Sequence, residues 1–376
     1  MKHLAVILIL LMSCSAFGAT RYVTVAGADT KDGTTWAKAM SLAEFEDLFV
    51  TGGSYTAAAG DIIYVLSGTY TLTQNLDAEG QSYDGTAVAP VAIIGVDNEF
   101  ETYDSGDNAF GTDRPLFANT TYLFEMADFY HLRNLRFTTT ETANYSCYVG
   151  VGSTVYNCKA DQAKTTGYAF QGGSGSRYIK CEVTATNTNG GAGIYLAGDS
   201  AVIACYIHDV DTADARGIFV AQGGCSIIGC VFYDCTEGID VAAIPGTQII
   251  NNTFSGCATG IYGTTAYYTT VIANIFDGCT ETANWTTKRD SNWWDFNIWD
   301  ADTPTNVTKG ADAINDAITL NTDYDLDSDD AVALGGGVGV DTTVGLTAAD
   351  FSWNIGADQD DNSSGGYPRI GSGQIR

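Results

Sequence analysis

Basic side chains are scarce in this chain: 17 Lys and Arg stand against 45 Asp and Glu among 376 residues, a net charge of −28. Such a surface repels nucleic acid and anionic lipid, and a polyanionic sugar would need a local basic site or a bound cation. Otherwise the acidity serves solubility. Long apolar runs are equally rare, and the one near the start, Leu4 to Met12, is too short to cross a bilayer. Histidine is down to His3, His131 and His208. No amphipathic helical period and no leucine-rich consensus runs through the body of the chain, which argues against a leucine-rich horseshoe.

What is present is a short repeat. Tyr156-Asn157-Cys158, Ile179-Lys180-Cys181, Ile203-Ala204-Cys205, Ile228-Gly229-Cys230, Ile250-Asn251-Asn252 and Ile272-Ala273-Asn274 share one pattern, with intervals of 23, 24, 25, 22 and 22 residues between their last members. Two positions beyond that last residue stand Ala160, Val183, Ile207, Phe232, Phe254 and Phe276. Apolar residues at alternate positions predict half-buried strands, with the Ile, Cys and Asn columns turned inward. A second mark follows one strand later, as Gly193-Ile194-Tyr195, Gly217-Ile218-Phe219, Gly238-Ile239-Asp240 and Gly260-Ile261-Tyr262, where glycine is expected to permit a bend and the Ile to point inward. A short strand cannot bury its face alone, but one per coil, stacked at roughly 4.8 Å, builds a continuous core.

On these residues the chain resembles the right-handed parallel β-helix proteins of the pectin-lyase-like superfamily. The resemblance implies an all-β, single-stranded right-handed solenoid of extracellular type, with roughly ten coils between 60 and 300 at the observed period. Residues 19–59, opening with Tyr22-Val23-Thr24-Val25, resemble the start of many secreted β-helix proteins. Within them Ser41-Leu42-Ala43-Glu44 is a capping box that predicts a short helix plugging the N-terminal end of the core. Residues 301–358 resemble the closing segment of such proteins, and 359–376 read as a disordered tail.

Residues 1–18 read as a secretory signal, with Ala16-Phe17-Gly18 as cleavage site. A second outcome stays open, because Leu11-Met12-Ser13-Cys14 resembles a lipobox that would leave Cys14 lipidated, as in an outer-membrane lipoprotein, and tie the protein to a membrane. Ten Cys in a secreted chain ordinarily suggest disulfides. Here Cys158, Cys181, Cys205 and Cys230 share one inward coil position, and Cys235, Cys257 and Cys279 share another. They read as reduced packing ladders, the first continued by Asn252, Asn274 and Asn297, although the coil spacing lies within disulfide reach.

The densest polar cluster spans two coils: His208, Asp209, Asp211, Asp214 and Arg216, then Asp234, Glu237 and Asp240. Asp209, Asp211, Asp234 and Asp240 are the candidate calcium ligands, since hard cations take several oxygens. In lyases of this fold a cation neutralises a uronate carboxylate while a basic residue removes the adjacent proton. The resemblance then implies Arg216 as base beside Asp209 and Asp234. The competing reading pairs Arg216 with Glu237 across coils and leaves the other acids as solvated turn residues. A turn histidine beside Asp209 reads as a solvated pair. Neither a polygalacturonase-type Gly-His-Gly nor a pectate-lyase-type Trp-Ile-Asp-His stretch occurs. The Asp323 to Asp330 run has Ser328 and Leu334 where a calcium loop needs Gly and Glu, so it reads as a strand with its acids in water.

Trp285, Lys288, Arg289, Trp293, Trp294 and Trp299 form an aromatic stretch with two cations, suited either to sugar rings or to a plug over the last coil. The expected partner is a polysaccharide or cell-surface glycan, bound by a secreted protein without an evident catalytic motif. A lyase or hydrolase acting on an acidic glycan, with calcium as cofactor, is the alternative. A structural appendage or phage fibre component is the third class.

Overall fold

The computed structural model describes residues 18–315, apart from 29–30, 51–54, 78–84, 98–113, 120–121, 140–144, 164–166, 187–190, 243, 265, 287–291, 296, 300–304, 306 and 308–313. The leader with Cys14, Lys288, Arg289, the Asp323 to Asp330 run, the tail and most of the closing segment lie outside the described residues. So does the side chain of Trp299.

Strands wind into three parallel sheets, here A, B and C in chain order, of 11, 11 and 9 strands. Except for the first pair of sheet A and the last pair of sheet B, neighbours within a sheet lie three strands apart in sequence, so each turn of the chain adds one strand to each sheet. Seven consecutive regular turns run from Tyr130 to Trp285, two wider turns precede them, and Trp293–Asp295 and Ile298–Trp299 begin the next. The count of roughly ten coils includes those irregular ends. Thr20–Val23 adds a first strand to sheet A beside Ile62–Leu66.

The corner between sheets A and B is made by a single left-handed residue. Asn134, Asn157, Lys180, Ala204, Gly229, Asn251 and Ala273 take φ between 51° and 63°, and the next residue begins the ladder. The bend resets the inward alternation. Val155, Tyr178, Val202, Ile227, Ile249 and Val271 are buried, while the Ile column one residue later (Ile179, Ile203, Ile228, Ile250, Ile272) is half-buried on the outer face of sheet A. The expectation that those Ile side chains turn inward is therefore corrected.

The ladder itself lies inside as expected. The amide of each member donates to the side chain of the next turn: Cys181 N to Cys205 Sγ at 3.3 Å, Cys205 N to Cys230 Sγ at 3.5 Å, Cys230 N to Asn252 Oδ1 at 2.9 Å, and Asn252 N to Asn274 Oδ1 at 2.9 Å. Thiol and amide thus perform one task, accepting a buried N–H that has no water. All nine described cysteines are unpaired thiols. Phe232, Phe254 and Phe276 stack beside them at 4.7 Å per step.

In sheet C the glycines of the Gly-Ile mark are not bend residues. A Cβ on Gly217, Gly238 or Gly260 would meet the next turn's carbonyl oxygen at 2.6–2.7 Å, so glycine is demanded by close packing inside the strand. The Ile residues that follow are buried.

The helix Leu42–Asp47 caps the N-terminal end. The Ser41 amide donates to Glu44 Oε2 at 2.9 Å, and Phe45 and Phe49 pack on Phe117 and Tyr130.

Candidate functional site

The outer face of sheet C combines rings with ionisable groups on successive turns. Parallel register sets one column of outward residues on successive turns: Glu125, Tyr148, Gln171, Tyr195, Phe219, Asp240, Tyr262 and Asn284. A second column begins with Tyr145 and Tyr168 and reaches Arg216 and Glu237. Because the turns repeat at the strand spacing, the first column runs about 34 Å along the solenoid. Ring centroids of Tyr168 and Tyr195 lie 5.0 Å apart, and those of Tyr195 and Phe219 5.8 Å apart. The row ends under Arg216, whose Cζ sits 4.9 Å from the Phe219 centroid.

Arg216 ties the rings to two carboxylates. Its Nε lies 2.6 Å from Asp240 Oδ2 and 3.5 Å from Glu237 Oε2. Asp240 is only 4% exposed although it stands on an outer face. Burial raises its carboxyl above the ordinary range, against the pull of Arg216. Burial first, and then Asp240, push the Glu237 carboxyl up to about 7. Two acids with one guanidinium between them therefore share less charge than their formal count near neutral pH. Asp240 Oδ1 and Glu237 Oε2 are shielded from water and accept no hydrogen bond.

Residues 192–293, which hold this cluster, match the family model described as a right handed beta helix region. The fold is a right-handed parallel β-helix. Among solved structures, this right-handed β-helix resembles a pectate lyase at 12% identity, covering 84% of this chain and 90% of that one with a TM-score of 0.45. It resembles a rhamnogalacturonan lyase at 13%, covering 75% and 82% with a TM-score of 0.47. A mannuronic acid specific polysaccharide family 6 lyase from human gut microbiota matches at 12%, covering 74% and 64% with a TM-score of 0.48. Likenesses of this order carry neither a substrate nor a reaction over to this chain. No curated protein matches the sequence.

The β-helix separates most of the residues that sequence reasoning had grouped. Asp209 and Asp234, at φ 53° and 50°, take the left-handed conformation one residue before the end of their sheet B strands, a position that Gly256 and Gly278 fill in the next turns. Aspartate tolerates that conformation, which explains both acids without a ligand. Both are exposed, as are Asp211 and Asp214, whereas Asp240 is buried against Arg216 on sheet C. Among the described residues no group of three or more His, Cys, Asp or Glu is arranged to hold a metal. The four aspartates are thus not brought together as a calcium site. Nor does Arg216 stand beside Asp209 as a base; its partners are Asp240 and Glu237.

The aromatic stretch also divides. Trp285 is 1% and Trp294 3% exposed, and their rings meet edge to face at 5.9 Å in the core. They close the last turns and cannot meet a sugar. Trp293 alternates outward on sheet A and is 56% exposed.

A polar network lies on the outer face of sheet B. Glu182 Oε1 accepts from Lys159 Nζ at 2.6 Å and lies 3.3 Å from His208 Nε2, while His208 Nδ1 is 2.8 Å from Asp209 Oδ2. Burial would lower the His208 pKa, but the hydrogen bonds to Glu182 and Asp209 outweigh it and raise it. His208 is accordingly a linked, stacked residue on Tyr206 and not the simple solvated pair expected from its turn context.

Proposed function

We propose that the protein binds carbohydrate along the outer face of sheet C. The observation that carries this reading is the row of rings on successive turns, Tyr168 beside the in-register pair Tyr195 and Phe219, which ends at the Arg216, Asp240 and Glu237 cluster. Flat rings on successive turns suit the apolar faces of sugar units, and the amide and carboxylates beside them suit hydroxyl groups. A rigid solenoid flank presents such positions over an extended length at little ordering cost.

The reading is one of binding rather than cleavage. An arginine acting as base in β-elimination must be the neutral guanidine, whereas Arg216 is engaged as a cation by the Asp240 carboxylate at 2.6 Å. Affinity electrophoresis in polysaccharide-containing gels tests the proposal. Tyr195→Ala and Phe219→Ala are expected to weaken retardation about tenfold, equivalent to about 1.4 kcal/mol, with Trp293→Ala as the control on another face. Retardation lost with Trp293→Ala alone would move the site to sheet A. Release of unsaturated sugars by the parent, abolished in Arg216→Ala with the fold intact, would replace binding by lyase activity.

A further inference from the structure

We propose that the glycan held on sheet C is uncharged, and not a uronate polymer. This inference rests on the binding face proposed above and concerns the chemistry of its ligand.

The charge of the face argues first. Among the described residues, Arg216 is the one cation on the strands of sheet C, while Glu125, Glu237, Asp240 and Glu281 are carboxylates there. The other described basic residues of the regular turns stand on sheets A and B or at their corner: Arg133, Arg136, Lys159, Arg177 and Lys180. Arg216 is itself matched by two acids. A uronate carboxylate placed on this face would approach more negative groups than positive ones, on a chain of net charge −28.

Hydrogen-bond polarity argues independently. The acceptor Asp240 Oδ1 has no donor in the folded chain. What it lacks is an O–H or N–H, and where a neutral hexose carries a hydroxymethyl group able to donate, a uronate carries a carboxylate that only accepts. A neutral sugar also leaves the face without a further negative charge beside Asp240 and Glu237. Tyr195 and Phe219 supply stacking, which requires no charge on the sugar.

The test compares polymers that differ in charge. Binding of the full mature chain is measured to polygalacturonate and polymannuronate, and to carboxyl-reduced polygalacturonate, xylan, galactan and glucomannan, each at low and at high salt, for the parent, Tyr195→Ala and Phe219→Ala. The expected result is a neutral polymer bound at least tenfold more tightly than either uronate. Its affinity changes little with salt and falls about tenfold in a ring variant whose melting temperature is near that of the parent. A uronate bound more tightly than every neutral polymer, with the same loss in the ring variants, would overturn this inference and leave the binding face standing. Binding to none of the polymers, or binding indifferent to both ring variants, would remove the face and the inference together.

Discussion

Asn252 has one inward side chain and three obligations. Its Oδ1 accepts from Cys230 N at 2.9 Å, and its Nδ2 donates to Ile227 O and to Asn274 Oδ1, each at 3.0 Å. Asn252→Leu keeps the volume but removes the acceptor of Cys230 N and the donor to Ile227 O, so chemical denaturation should show a loss of about 3 kcal/mol. Gly238 and Gly256 separate two uses of glycine. A Cβ at Gly238 meets Gly260 O at 2.6 Å, whereas at Gly256, φ +63°, it meets nothing within 4 Å. Gly238→Ala should cost about 2 kcal/mol or more from overpacking, and Gly256→Ala only about 1 kcal/mol from the left-handed backbone. Equal losses would contradict these assignments. Glu237 gives a pH dependence with a definite sign. With its carboxyl at about 7 in the fold and in the ordinary carboxylate range when unfolded, the native state binds more protons between those values. Stability must then fall as pH rises through that window, by up to about 3 kcal/mol. The raised His208 pKa acts in the same direction, since its stabilising contribution is present at low pH and lost as pH rises through the folded pKa. Melting temperatures between about pH 5 and about pH 8 should decline less steeply in Glu237→Gln than in the parent.

At the scale of the strand and its corners, much of the solenoid was legible because inward positions repeat exactly once per turn. The Cys and Asn column, the Phe stack and the Ile of the Gly-Ile mark all lie where periodicity puts them. The outward Ile column was misread, because alternation was carried through a corner that one left-handed residue resets. That corner is filled by Asn, Lys, Ala or Gly, so no residue type announces it. The site was legible only in part. Counting from the Gly-Ile mark pairs Arg216 with Glu237, but Asp240 is the nearer partner because it occupies the next outward position of the same strand. The aromatic row was missed although its signal was present: Tyr195, Phe219, Asp240 and Tyr262 are the third residue of the repeated mark, and the third residue faces outward. The thiol columns belong to this scale too. Burial raises the pKa of Cys147, Cys158, Cys181 and Cys205, which disfavours the reactive thiolate. Titration of the denatured, unreduced protein should therefore find all nine described thiols free, and a count of five or fewer would mean that the columns pair as disulfides.

For the whole molecule, the three faces of the β-helix have different characters. Sheet A presents aliphatic side chains, Tyr22 stacked on Tyr64, Arg133 over Tyr156 and the exposed Trp293, sheet B an ion-pair network around Glu182 and His208, and sheet C rings that lead into an arginine held by two acids. A solenoid repeats its backbone, so such differences come entirely from the outward side chains, and they decide which flank meets a ligand. The central claim is that sheet C is that flank. A crystal structure of the protein soaked with an oligosaccharide of the polymer it binds tests this most directly. The account predicts sugar rings lying over Tyr195 and Phe219, with a hydroxyl directed to Asp240 or Glu237. Sugar seated against Trp293 on sheet A, or in the sheet B network with sheet C bare, would contradict it.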